Sequence, residues 1–409
     1  MRILIYQNMP WGGHHKYGMC LSQALADQGV EVHLVTSRGS PADSPDYQVH
    51  RLLHPMYSDI WYLRSRALRY LDRYLRHWLN FRAMAKLAVS HPFDVVHLQV
   101  LEAWPNLGVL LWLCRRRPVV LTVHNVEDHW LAQQPQSTAD RLRRMAYGLE
   151  RSRLRRARKA VALCIAHAHS AAVALEESYS VEARQIRVIP QGPNELPSPR
   201  HPAPRALAAF RAELAISPDD RVALFFGEIR RNKGLSVLLD AWPQILSRCP
   251  QARLLIAGQP RDPSGFRPYA EQISALAIGS RVSTLLKRLT EEELELTYRA
   301  SHASVLPYLS TFPAQSGVLL TAFAHGHPVV ASDVGALGEV VRDSAAGVLV
   351  PPEDPAALAL AVAQLLDDRA RCAQLRTQAL EAIRGRYTWE RAARLTIQAY
   401  EDAEQLFQS

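Results

Sequence analysis

Three stretches of this chain carry residue types whose spacing could do chemistry. In "FFGEIRRNKGL" Gly227 closes an apolar run, and Arg230, Arg231 and Lys233 fall in the loop behind it. Cations at the carboxyl end of a strand suit a diphosphate, because Arg can grip it with two parallel hydrogen bonds and Lys can act as a point charge. A solvated loop would carry the same charges, and on either reading Arg230 and Lys233 are expected at the surface. "VVLTVHNVEDHW" ends a second apolar run at His124. An imidazole there could bond a sugar hydroxyl, do acid–base work, or be a satisfied structural histidine. The third stretch, "SVLPYLSTFPAQSGVLLTAFAHGHPVVASD", has a small-residue loop ending in Gln315-Ser316-Gly317 before a short apolar helix that Gly326 stops. Free N–H groups and the dipole of such a helix start favour an anion.

Other candidates carry less. Gly12-Gly13 in "MPWGGHHKYG" would let a ligand approach the backbone before a helix, or would serve as a plain turn. His97 in "DVVHLQ" is flanked by core residues and reads as a core histidine, and the spacing of His14, His15 and His129 makes no metal set. No D-x-D pair occurs, so a carboxylate-held divalent metal is not expected. G-x-S-x-G, a P-loop and H-E-x-x-H are absent as well.

The elements that must position these residues alternate. Strands are expected at Arg2–Tyr6, Glu31–Ser37, Asp94–Gln99, Pro118–His124, Ala160–His167 and Ile186–Pro190, with helices between them such as Lys16–Asp27 and Ser170–Ser178. Short, β-branched, nearly all-apolar strands belong to parallel sheets covered on both faces. "QGPNELPSPRHPAPRA" then gathers five prolines in sixteen residues, a linker signature. The alternation restarts at "RVALFFG", "ARLLIAG" and "RVSTLL", and Thr290 with Glu293 forms a capping box ahead of another helix. The expected class is therefore α/β, with two doubly wound Rossmann-like domains facing across a cleft and ligands at the carboxyl ends of the strands. The boundaries fall at 1–192, a linker at 193–206, and 207–385. A helix from about Trp389 to Phe407, within 386–409, would cross back to the first domain.

Bulk properties set limits. At 409 residues and 48% hydrophobic content the chain holds two or three packed domains. Five scattered cysteines without a C-x-x-C pair argue against disulfides or zinc and for a reducing cytoplasm. No run reaches 18 apolar residues, so nothing is expected to span a membrane. The net charge of +9 is uneven: "RLRRMAYGLERSRLRRARK" (141–159) has nine Arg or Lys against one Glu, and 63–88 alternates Arg with Leu, Tyr, Trp and Phe. An anionic membrane surface explains this pattern better than a solvated face. Nucleic acid is not expected, because no nucleic-acid module accompanies the charge.

Taken together in order and spacing, "GG", "VLTVHN", "IRVIPQG", the G…KG loop, "LLIAG" and "AHGHPVVASDVGALGEVV…GVLVPPEDPAALA" resemble the large retaining glycosyltransferase family four, of GT-B fold. The resemblance implies a metal-independent, hexosyltransferase-type enzyme without a cofactor. It would move a sugar from a UDP- or GDP-sugar to a hydroxyl acceptor. The basic first half adds the expectation of a lipid-linked or polysaccharide acceptor and of a cytoplasmic protein peripheral to the inner face of the membrane. The resemblance also implies that Arg230 and Lys233 hold the diphosphate with Gly227, that Gly12 and Gly13 border the sugar, and that His124 stands beside it. Phosphates would meet the N–H groups of Ser316, Gly317 and Val318, next to Gln315. Two departures accompany the likeness: Glu228 replaces the usual arginine after the glycine, and the usual glutamate pair is replaced by Pro313 and Thr321. Thr321 could offer only a neutral contact to the ribose. A catalytically silent scaffold and a GT-B epimerase or phosphorylase are the alternatives.

Overall fold

Short runs of Val, Ile and Leu flanked by polar residues give two parallel sheets, each buried under helices on both faces. The computed structural model describes residues 1–9, 12–55, 66–101, 103–126, 138–198, 202–261, 264–312 and 315–408, with side chains described except at 66–70, 103–105 and 138–147. His129 and Pro313 lie outside the described residues. The chain divides into two units, Met1–Gly192 with Thr388–Ser409, and Pro193–Tyr387.

The first unit holds β1 (Arg2–Tyr6), β2 (Glu31–Ser37), β3 (Gln48–Leu53), β4 (Val95–Leu98), β5 (Val119–Val123), β6 (Leu163–Ala166) and β7 (Ile186–Val188). They form a sheet in the order β3-β2-β1-β4-β5-β6-β7. Its helices are α1 (Gly13–Ala26), α2 (Arg66–Ser90), α3 (Ala103–Cys114), α4 (Thr138–Ala160) and α5 (His169–Tyr179). Along β1 the side chains alternate between two cores. Ile3 and Ile5 pack with Tyr17 and Leu21 of α1, while Leu4 and Tyr6 pack with Phe81 and Met84 of α2. The strand order reverses between β1 and β4, which opens a crevice at their carboxyl ends.

The second unit holds β8 (Arg221–Phe226), β9 (Ala252–Ala257), β10 (Val282–Leu285), β11 (Ala303–Leu306), β12 (Val329–Ser332) and β13 (Gly347–Val350), in the order β10-β9-β8-β11-β12-β13. Its helices are α6 (Pro204–Glu213), α7 (Leu235–Arg248), α8 (Arg267–Ala275), α9 (Glu291–Ala300), α10 (Gly317–Ala324), α11 (Gly335–Ser344), α12 (Pro355–Asp367) and α13 (Arg369–Gly385). The order reverses between β8 and β11. The Thr290–Glu293 capping box starts α9, with both reciprocal bonds present. The last helix, α14 (Trp389–Gln408), returns to the first unit and packs on α1.

Three expectations need correction. The proline-rich stretch is helical from Pro204, because proline is tolerated in a first helical turn, so the loop ends before residue 206. β3 has no counterpart in the sequence reading, since this edge strand is largely exposed and lacks an apolar run. The first helix starts at Gly13 rather than Lys16, so the Gly-Gly pair is the helix start itself. Among the described residues no helix is long and apolar enough to cross a membrane.

Candidate active site

In the second unit, chemistry gathers behind β8 and β11. Gly227 follows β8, its N–H bonded to Ala257 O at 3.0 Å. The loop then runs Glu228 to Gly234, where φ is 68° and a Cβ would stand 1.7 Å from the Pro307 carbonyl oxygen. Only glycine permits that approach, which seats the loop after β8 against the loop after β11. Leu309 N–H donates to Asn232 O at 3.1 Å and fixes the seam.

Lys233 is carried inward by this seam. It is 6% exposed, and its Nζ lies 3.7 Å from the Tyr308 ring centroid and 4.5 Å from that of Phe312. The expectation of a surface lysine is wrong, because two aromatic rings from the other loop cover it. Burial, then the nearby Arg230 charge, pushes its pKa well below the ordinary lysine value, while Glu228 works the other way. Among the described residues the Lys233 ammonium has no hydrogen-bond or ion-pair partner. Arg230 is partly exposed and pairs with Glu228 at 3.7 Å. Arg231 is exposed.

The same rings lead to α10. Tyr308 Oη and Ser316 Oγ are 2.9 Å apart, and Ser316 Oγ accepts from Leu319 N–H as the N-cap. Gly317 and Val318 start the helix, and Val318 packs against Gly227. Thr321 is 1% exposed, one turn inside the helix. The structure thus brings together Gly227, Arg230, Lys233, Ser316, Gly317 and Val318, with Gln315 beside them and Thr321 buried behind. Tyr308 and Phe312 were not singled out in the sequence. The only signal available was an aromatic pair within the loop that precedes Gln315.

In the first unit a separate set gathers behind β1, β5 and β6. Gly12 caps α1 with φ 89° and ψ −176°, a conformation open to glycine, so backbone shape rather than space selects it. Gly13 begins α1, and His14 stacks on His124 with ring centroids 4.4 Å apart. Tyr17 meets the His124 ring edge-on at 4.7 Å. His167 Nδ1 lies 3.0 Å from Ile189 O, and His167 Nε2 lies 3.1 Å from His124 Nδ1.

Those contacts fix the protons. A carbonyl oxygen can only accept, so His167 carries its proton on Nδ1. Burial lowers its pKa to about 4, which leaves Nε2 bare near neutrality. His124 must then donate from Nδ1. Its own pKa is pushed well down by burial and by the histidines around it, so Nε2 is a bare lone pair. That nitrogen has no hydrogen-bond partner among the described residues. His124 is therefore a neutral acceptor with its ring locked, and His167 is the orienting residue that sequence reasoning missed. Its place at the end of the neighbouring strand was the available signal.

His97 is structural, as expected from its flanks. It bridges Tyr400 Oη of α14 and Thr122 Oγ1, each at 2.7 Å. No group of three or more potential metal ligands occurs among the described residues.

Residues 11–194 match the profile described as Glycosyltransferase Family 4, and residues 220–368 match that of Glycosyl transferases group 1. The D-inositol 3-phosphate glycosyltransferase of Nocardia farcinica is 32% identical over 324 residues, covering 76% of this chain and 67% of that one. Among solved structures, sucrose-phosphate synthase from Thermosynechococcus elongatus superposes with a TM-score of 0.75 at 24% identity, over 100% of this chain and 99% of that one. HepE of Anabaena in complex with UDP gives 0.70 at 17% identity, over 98% and 100%. The chain belongs to glycosyltransferase family 4, and it is a retaining, nucleotide-sugar-dependent transferase of the GT-B fold.

Proposed function

We propose that the second unit binds a UDP- or GDP-sugar through its diphosphate, and that the first unit presents the hydroxyl of a lipid-linked or polysaccharide acceptor. The observation that carries this is Lys233: a buried ammonium without an anionic partner among the described residues, over the Tyr308 ring whose hydroxyl meets the cap of α10. A diphosphate would supply the missing counter-charge, held by Lys233, Arg230 and the N–H groups of Ser316, Gly317 and Val318. As the sugar–phosphate bond breaks, charge grows on the leaving phosphate. Donors already in place act on it without reorganisation. His124 Nε2 would accept from a hydroxyl of the donor sugar, with Gly12 and Gly13 bordering it. Thr321 offers no carboxylate to the ribose and sits too deep to lead recognition. The UDP and UDP-glucose complexes of the Anabaena protein favour UDP as the first donor to test.

The acceptor reading rests on the surface of the first unit. Leu71, Leu75 and Leu79 recur every fourth residue on α2 and are 65%, 52% and 39% exposed. Arg82 lies over the Trp78 ring of the same helix, and Arg116 over the ring of Trp112, itself exposed on α3. An apolar stripe edged by arginines suits the headgroup layer of an anionic bilayer.

The test is transfer of radiolabelled sugar from UDP-glucose and GDP-mannose to lipid extracts, to oligosaccharides and to D-inositol 3-phosphate. Label in a chloroform-soluble or polymeric product, with the anomeric configuration of the donor kept, is the expected result. Transfer to D-inositol 3-phosphate alone would overturn the acceptor reading, and no diphosphate binding at all would overturn the donor reading.

A further inference from the structure

At the tip of α10 one amide has an oxygen that no neighbour among the described residues satisfies. Asn194 belongs to the same unit as α10, just beyond the end of the first unit at Gly192. A Cβ at Gly317 would stand 2.5 Å from Asn194 Nδ2, so residue 317 lacks a side chain where an amide covers it. The amide nitrogen thus lies against the start of α10, whose own free N–H groups are donors as well. Asn194 Oδ1, which could have accepted one of those N–H groups, has no hydrogen-bond partner among the described residues. Gln315, two residues before Gly317, has no partner at Nε2 or Oε1 among the described residues. Amide nitrogens set at a helix start that is itself an array of donors are unfavourable there unless a ligand supplies an acceptor.

A second feature asks independently for the same ligand. Among the described residues the Lys233 ammonium is buried without an anionic partner, over the ring of Tyr308, and the Tyr308 hydroxyl meets the Ser316 cap of α10. Lys233, the Tyr308 ring and the capped start of α10 are therefore linked contact by contact.

We propose that Asn194 is a ligand of the donor diphosphate, its Nδ2 donating to a phosphate oxygen held between the amide and the N-terminus of α10. This rests on reading the second unit as the donor site. A neutral amide fixes the oxygen's position without adding charge, which Arg230 and Lys233 already provide. Inorganic pyrophosphate offers the same chemistry, so it serves as a separate probe.

Calorimetric titration of UDP, GDP, pyrophosphate and uridine into wild type, Asn194→Ala and Asn194→Asp tests this. Asn194→Ala is expected to weaken the preferred nucleoside diphosphate about tenfold, the scale of one hydrogen bond to a charged group. Uridine binding should not change, which also reports that the variant is folded. Asn194→Asp should weaken the diphosphate further, by about a hundredfold or more, through repulsion. Its ligand-free melting temperature should rise, because a carboxylate can accept the helix N–H groups that now face a donor. An Asn194→Ala protein that binds diphosphate as wild type does, or an Asn194→Asp protein that melts no higher, would make Asn194 a cover for the helix and overturn the proposal. Wild type that binds neither nucleoside diphosphate nor pyrophosphate would instead remove the donor-site reading, and this assignment with it.

Discussion

An ammonium pressed against the faces of Tyr308 and Phe312 has exchanged water for two rings, which recover only part of its lost solvation. Lys233→Met should therefore stabilise the ligand-free protein, by on the order of 1 kcal/mol in urea denaturation, while nucleoside diphosphate binding is lost. Such opposition is usual where a site stores cost for its ligand. The pH dependence follows from the lowered pKa. A bound diphosphate favours the charged form, so binding takes up a proton and affinity should fall as pH rises through the free protein's depressed value. Titrations in two buffers of different ionisation enthalpy would reveal the uptake. Equal heats would mean that Lys233 keeps its charge when nothing is bound. For His124 the expectation is a split between rate and affinity. His124→Ala should lower kcat about a hundredfold and leave diphosphate affinity within about twofold, as for a group that touches only the reacting sugar. Because burial keeps His124 neutral, the pH–rate profile between about pH 5 and 8 should have the same shape in wild type and variant.

The helices translate these contacts into stability. Ser316 caps α10 and also meets Tyr308, so Ser316→Ala should cost the fold about 1 kcal/mol, whereas Tyr308→Phe keeps the cap and should cost less. Equal losses would mean that the tyrosine bond, not the cap, matters. On α2, replacing Leu71, Leu75 and Leu79 with Gln should cut cosedimentation with anionic vesicles. Replacing Arg151, Arg153, Arg155 and Arg156 on α4 with Gln should do so more strongly at low salt, where screening is weak. Wild type that ignores anionic vesicles would make both faces merely solvated. Strands such as β1, β2 and β8 were legible to within a residue because an apolar run bounded by polar residues has one reading. β3 was not legible, since its sequence QVHRLL carries no such run. The charged loop behind β8 was legible as a site through residue type alone. That Lys233 is buried, and that Asn194 covers Gly317, depends on segments distant in sequence, which no local pattern records.

Across the molecule, buried histidines set the acid limit. His97 is held down to about 3, His167 to about 4 and His327 to about 3, each chiefly by burial. The unfolded chain, with histidines near 6.5, binds more protons than the folded one below that pH. Stability should therefore fall as pH drops from about 6.5 toward 4, by up to about 1.4 kcal/mol per pH unit for each such group. The urea midpoint at pH 5 should lie below that at pH 7, and His97→Gln should flatten the difference. A midpoint independent of pH would show that these rings are not excluded from protonation.

Gly192 and Trp389 meet where the chain leaves the first unit and where it returns, and a Cβ at Gly192 would lie 2.5 Å from the Trp389 ring. The first unit's sheet is therefore made early in synthesis and finished late. Until residues 389–408 emerge from the ribosome, Ile3, Ile5, Tyr17 and Leu21 lack the Ala392, Ala399 and Tyr400 that complete their core. The second unit has all of its own segments before then and is free to fold first, reversing the usual order along a nascent chain. On stalled ribosomes, protease resistance should reach Pro193–Tyr387 before it reaches Met1–Gly192. A release of the chain at Tyr387 should leave a stable second unit attached to a half that chaperones retain.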